Sequence, residues 1–149
     1  MYEFLLAVHL LAAVIWVGGA VTMHIFGRLA TKEGPERELA FTAASIRIGN
    51  FVYAPLSVVL LIAGILLVDE VGYDYGEFWI TIGFVGFLTS FLVGVFYYPR
   101  AAKQYAALAA GDGAGSAPAQ AIYRRTATVN MIELTVLLLV IVDMAVKPG

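Results

Sequence analysis

His9 and His24 are the two histidines of this chain, and both fall inside its first apolar run, Phe4 to Phe26. An ionisable side chain within a lipid-spanning segment is costly, and it usually faces the interior of a bundle for a purpose. Imidazole is also a common protein ligand for transition metals and for haem iron. The chain has no cysteine, which excludes thiolate metal sites, disulfides and covalent c-type haem and leaves imidazole as the strong nitrogen ligand. On a helix the two rings are separated by about four turns plus 60° and by roughly 22 Å of rise, so one metal ion cannot take both. Either each serves its own site, one per leaflet, or one is a ligand and the other makes a structural hydrogen bond. His9 lies well inside the segment. His24 lies close to the boundary marked by Arg28, where a histidine can also face headgroups.

The last apolar run adds a second polar stripe. Thr126, Asn130 and Glu133 recur at i, i+4 and i+7, on one helix face. Glu133 sits about 10 Å inside the boundary at helical rise, where a carboxylate must be paired, protonated or wetted. Matching Arg28 with Thr126 in depth sets Thr22 and His24 level with Asn130 and Glu133. If those helices touch, the four form a polar cluster, with Arg47 or Arg124 as counter-charge. Such a cluster is either an interhelical hydrogen-bond network or a proton or cation relay. At the depth of His9 the polar groups on other segments are Thr81 and Asp143. Asp143 either accepts a hydrogen bond from one ring nitrogen, freeing the other for a metal, or is solvated or paired with Lys147. Trp16 lies two turns from His9 on the same face and either packs or lines a pocket.

Positioning these groups requires helices. The chain has 149 residues, which suits one domain, and is 61% apolar and 13% charged, the balance of an integral membrane protein. A span needs roughly 20 mainly apolar residues. The runs Phe4 to Phe26, Phe51 to Val68, Phe78 to Tyr98 and Thr126 to Val146 meet or approach that length. The second helix is expected to begin near Pro35, a residue suited to a first turn, and to kink at Pro55. The third runs on past Pro99 toward Ala110, and the stretch from Gly111 to Pro118 breaks the chain before the fourth. The start carries Glu3 and no basic residue ahead of the apolar run, so the first segment is read as a retained span rather than a cleaved signal.

Charge sets the expected orientation. Arg28, Lys32, Arg37 and Arg47 lie in loop one, and Arg100, Lys103, Arg124 and Arg125 in loop three, whereas the segment from Asp69 to Glu77 has no basic residue. Loops one and three are therefore expected in the cytoplasm and both termini outside, with Lys147 outvoted. Tyr73, Tyr75 and Trp79 would form an outer aromatic belt, and Tyr97 and Tyr98 an inner one. Small residues at Gly86, Ser90 and Gly94, and the Gly18–Gly19 pair, allow close helix contacts. The same glycines could let a planar cofactor or a second copy approach the backbone.

The run Val8-His9-Leu10-Leu11-Ala12-Ala13-Val14-Ile15-Trp16-Val17-Gly18-Gly19 resembles a first helix shared by several bacterial membrane families. These are a family of predicted integral membrane proteins without assigned function, the copper-resistance D family, and the membrane-embedded haem-b protoporphyrinogen oxidase. The closing run from Asp143 to Gly149 is similar to the ending of the first. The resemblance implies His9 as an axial haem ligand, with Trp16, Gly18 and Gly19 shaping its pocket. The oxidase also relies on a lysine in a later helix, and no lysine lies in a span here. Copper handling favours methionine or histidine clusters, and Met1, Met23, Met131 and Met144 are scattered.

The expected protein is an all-α, up-and-down four-helix transmembrane bundle in the bacterial inner membrane, pairing as a homodimer. It is expected to bind haem b for electron transfer, with an electron donor or acceptor as partner, or for a porphyrin-directed oxidation. In that reading His9 ligates iron with no clear second ligand in the same chain. His24 ligates a second haem or meets a propionate, and Arg47 or Arg124 pair with propionates. The rival is a small proton, cation or metal transporter subunit using Glu133, Asn130 and His24. No catalytic residue is assigned, and no nucleic-acid partner is expected.

Overall fold

The helices outrun the apolar segments that specify them. The computed structural model describes residues 1–147 and contains α1 (Tyr2–Glu33), α2 (Pro35–Ile48), α3 (Ala54–Val71), α4 (Phe78–Leu92), α5 (Tyr98–Asp112) and α6 (Ala117–Val146). No strand occurs among the described residues, and Pro148 and Gly149, the last two residues of the closing run quoted above, lie outside them. Single π turns, Gly49–Tyr53 and Val93–Tyr97, join α2 to α3 and α4 to α5. The chain thus makes four helical stretches long and apolar enough to cross a membrane: 2–33, 35–71, 78–112 and 117–146. They alternate in direction. One end of the bundle carries Arg28, Lys32, Arg100, Lys103, Arg124 and Arg125 and is called the basic end; the other carries the Asp69–Glu77 connection and is called the acidic end.

Each π turn stands just ahead of a proline. Pro55 and Pro99 have no N–H to offer the carbonyls of Phe51 and Val95, and their rings crowd those carbonyls. The chain relieves this by widening the preceding turn. Ala54 N–H bonds to Gly49 O and Tyr98 N–H to Val93 O, each five residues back. The kink expected at Pro55 is therefore a π bulge, and a second one accompanies Pro99. The turns are compact. Gly34, at φ 109, separates α1 from Pro35, the first residue of α2. Gly72, at φ 77, closes α3 with its N–H on Val68 O, a left-handed cap that suits glycine.

Two buried hydrophobic clusters lie at opposite ends of the bundle. α1 lies along α3, α6 and α2; α6 lies along α4 and α5; α2 meets α5. At the acidic end Val68, Trp79 and Ile80 form a buried cluster tying α3 to α4, bordered by Tyr73, Phe84 and Met144. Lys147 Nζ donates to Tyr73 Oη at 3.2 Å and lies over the Tyr73 and Trp79 rings. Nearby, Tyr75 donates to Asp69 at 2.7 Å, and this bond holds its phenol above the ordinary value. At the basic end Tyr105, Ala119 and Tyr123 make a second core. Glu38 is 2% exposed there. It accepts from Gln120 Nε2 at 2.6 Å and from Tyr105 Oη at 3.4 Å.

Candidate functional site

Between the two cores the helical stretches part around a cavity of about 460 Å³. α1 contributes one stripe, Trp16, Ala20, Met23, His24, Gly27 and Arg28, at the three- and four-residue spacing of a helix face. α6 contributes Tyr123, Thr126, Asn130 and Glu133 in the same way. Both π turns open onto it, through Gly49, Asn50 and Tyr53 on one side and Gly94 and Val95 on the other. A methyl group added at Gly49 or Gly94 would meet nothing within 4 Å. Most of the wall is apolar. Trp16, nearly buried, tilts against Phe87 with ring centroids 5.6 Å apart.

The polar groups of the cavity form one connected chain. His24 Nδ1 lies 3.1 Å from Asn130 Oδ1, and Asn130 Nδ2 donates to Tyr98 Oη at 3.5 Å. Tyr98 Oη in turn donates to Glu133 Oε2, and Ser90 Oγ donates to Glu133 Oε1 at 2.5 Å. With its amide nitrogen aimed at Tyr98, Asn130 turns an acceptor toward His24, so the imidazole proton sits on Nδ1. Nε2 has no hydrogen-bond partner among the described residues. Each oxygen of Glu133 thus accepts one hydroxyl, and no Lys or Arg forms an ion pair with it among the described residues. Two neutral donors, rather than a counter-ion, satisfy this carboxylate.

The π turn explains how Ser90 and Tyr98 reach the same carboxylate. Eight residues on an ideal helix advance about 800°, which leaves them some 80° apart. A π turn carries one extra residue, so the effective advance is about 700°, within about 20° of two full turns. The proline-induced bulge therefore swings Tyr98 onto the face of Ser90.

A family model described as "Predicted integral membrane protein (DUF2269)" matches residues 3–148. The chain belongs to the DUF2269 family. No curated protein and no solved structure matches it. The family match and the four membrane-length helices agree that this DUF2269 chain is an integral membrane protein.

In the DUF2269 chain the sequence-derived site residues divide into two groups. His24, Trp16, Asn130 and Glu133 line the cavity. Gly19 stands behind its wall, because a Cβ there would run into the Tyr53 ring, and Tyr53 lines the cavity. The others point elsewhere. His9 Nδ1 lies 3.2 Å from the carbonyl of Leu60 on α3. A Cβ on Gly64 would come within 3.2 Å of the His9 ring, so glycine admits the imidazole to the α1–α3 seam, away from the cavity. Gly18 is exposed. Arg47 is exposed on the outer face of α2, and exposed Arg124 returns its Nε to Gln120 O at 3.3 Å, so neither serves Glu133. Arg28 is the arginine at the cavity.

Two expected contacts are replaced by others. Thr22 bonds Gly18 O at 2.8 Å and is exposed; two residues from His24 on a helix, it points to nearly the opposite side. Ser90 and Tyr98 complete the polar cluster instead. Asp143 forms no ion pair with Lys147 among the described residues; its Oδ2 is buried without a hydrogen-bond partner there, and the His9 bond goes to Leu60. Ser90 was visible in the sequence as part of the small-residue stripe. Tyr98 read as a belt aromatic because the bulge that turns it inward breaks the helical period.

Proposed function

We propose that this DUF2269 protein binds b-type haem in the cavity near its basic end, with His24 as axial ligand. The observation that carries the reading is His24 itself: of the two histidines it alone lines the cavity, and Asn130 holds its Nδ1. A hydrogen bond from the far ring nitrogen fixes tautomer and orientation, as is usual for metal-bound imidazole. The residues fit the group in other respects. A volume of about 460 Å³ falls within the roughly 300–1,000 Å³ usual for ligand sites. The walls are mainly apolar, and Arg28 offers a guanidinium suited to a carboxylate such as a propionate. His9 meets half the requirement, with Nδ1 engaged by Leu60 O, but its ring is packed against α3.

Haem held in this way supplies one-electron chemistry, and electron transfer is the role that asks least of the surrounding protein. The chain's own residues orient the imidazole, keep the pocket apolar and hold a proton on Tyr98 Oη beside Glu133. In this reading the basic end faces the cytoplasm of a bacterial cell. The test is the absorption spectrum of protein produced with ample haem. A Soret band that is lost in His24→Ala and kept in His9→Ala is expected. Colourless wild-type protein, or a band that depends on His9 and not on His24, overturns the proposal.

A second reading has its own observation, the buried Glu133 with its hydroxyl partners. A carboxylate at this depth, connected through Tyr98 and Asn130 to His24, is the arrangement expected of a proton or cation relay in a small transporter subunit. Ion flux into liposomes that disappears in Glu133→Gln, from protein without a chromophore, would favour it over haem binding.

A further inference from the structure

On the outer flank of the bundle, where the α4–α5 stretch meets α6, lies a groove of about 450 Å³ separate from the central cavity. We infer that this groove binds the headgroup and upper acyl chain of an anionic glycerophospholipid. Its polarity runs in one direction. Leu92, Phe96, Arg100 and Gln104 follow one another at four-residue steps along the stretch, from apolar to aromatic to cationic to amide. On α6, which runs the opposite way, Arg125 lies one turn deeper than Ile122 and adds a second guanidinium to the same groove. From Leu92 to Arg100 the helix rises about 12 Å, the depth over which a bilayer passes from acyl chain to phosphate.

Charge makes the groove selective rather than merely greasy. Arg100 and Arg125 both line it, no carboxylate does, and neither arginine forms an ion pair among the described residues. Arg100 is already oriented: its Nη1 donates to Phe96 O at 3.0 Å, and its guanidinium lies 5.6 Å from the Phe96 ring centroid. That leaves its remaining N–H groups directed to an outside acceptor. Arg125 makes no hydrogen bond among the described residues and is exposed. Paired guanidiniums at headgroup depth above an apolar floor match a phosphate esterified to glycerol. Neither residue belongs to the haem reading, so the inference stands apart from it.

The test uses the full chain in neutral detergent, titrated with phosphatidylglycerol or phosphatidylcholine and read by native mass spectrometry of retained lipid. Preferential retention of phosphatidylglycerol is expected, falling about fivefold for each arginine removed in Arg100→Gln and Arg125→Gln. Lys103→Gln removes the same charge outside the groove and should leave retention unchanged. Equal retention of both lipids overturns the inference. So does an equal loss in Lys103→Gln, which would mean diffuse attraction, and so does full displacement by glycerol 3-phosphate, which would make the acyl floor irrelevant. Arg125→Gln alters an exposed side chain and decides the matter alone if the Arg100 variant fails to fold.

Discussion

Replacing Glu133 by glutamine and Tyr98 by phenylalanine, singly and together, measures how firmly α6 is held to the bulged α4–α5 stretch. Glu133 accepts from Ser90 and Tyr98, one hydroxyl on each oxygen. Hydrogen bonds to charged groups contribute about 1.5–3 kcal/mol in soluble proteins. Interhelical pairs within membranes average about 0.6 and reach about 1.7 kcal/mol, because the unfolded reference also finds partners. The Glu133–Tyr98 bond has a charged acceptor and a partly buried donor, so it belongs near the top of the membrane range. A coupling of about 1.5 kcal/mol between the two substitutions follows. Each single change leaves compensation behind: Tyr98→Phe leaves Ser90 on Glu133, and Glu133→Gln keeps one acceptor oxygen. Each should therefore cost about 1–2 kcal/mol rather than the full network. Reversible unfolding in mixed micelles, followed by helical circular dichroism, gives the four free energies of the cycle. Additivity within about 0.3 kcal/mol would show that the two side chains do not share a bond of consequence. The proline-bulge account of how Tyr98 turns inward would then fall with it.

Two further outcomes follow from packing. Three glycines on the α4–α5 stretch should respond differently to alanine in the same unfolding assay. Gly86→Ala drives a methyl into Val140, a stiff β-branched neighbour, and should cost about 1–3 kcal/mol. Gly83→Ala meets only the flexible end of Met144, and Gly94→Ala meets nothing within 4 Å, so the first should be nearly neutral and the second neutral to stabilising by up to about 1 kcal/mol. Equal losses at Gly94 and Gly86 would contradict the packing. Glu38→Ala removes a buried acceptor from Gln120 and Tyr105 and should cost about 2 kcal/mol. It should also speed amide exchange in α2 before α1; uniform exchange in both helices would show that Glu38 does not lock α2 to the basic end.

Much of the scaffold could be read in advance because it depends on local rules. Four apolar runs and Pro35 at the start of α2 occur as the sequence predicts, and the glycine-rich break occurs in shortened form, at 113–116, because Gly111 and Asp112 extend α5 and Ala117 and Pro118 already begin α6. The meeting of His24 with Asn130 was legible too, since depth follows from helical rise and both residues sit a fixed distance from basic anchors. Angular position was harder. Depth alone groups Thr22 with His24, although positions two apart on a helix face nearly opposite ways. Tyr98 was beyond reach for another reason: its direction depends on a π turn, and a regular 3.6-residue period gives no hint of the extra residue. Arg47 and Arg124 looked like counter-charges because sequence shows sign and depth but not which way a long side chain leaves its helix.

The two histidines show why the functional reading turns on space rather than ligand chemistry. Both rings have Nδ1 engaged, His9 by the Leu60 carbonyl and His24 by the Asn130 amide, and that hydrogen bond marks a structural histidine as readily as a ligating one. What differs is the opposite side of the ring. Around His9, glycine at position 64 lets α3 close on the imidazole. Around His24 the helices are held apart, because Pro55 and Pro99 each widen a turn facing the cavity and Gly49 and Gly94 line those turns without side chains. An apolar gap of this size loses packing contacts unless something fills it, and lipid tails bring no acceptor for the groups at its wall. Restoring side chains at the bulges therefore probes the reading directly. Gly49→Leu with Gly94→Leu should fill the gap and abolish ligand binding while leaving the His9 seam intact. If haem binding survived that filling, the cavity would not be its site and His9 would return as the leading ligand.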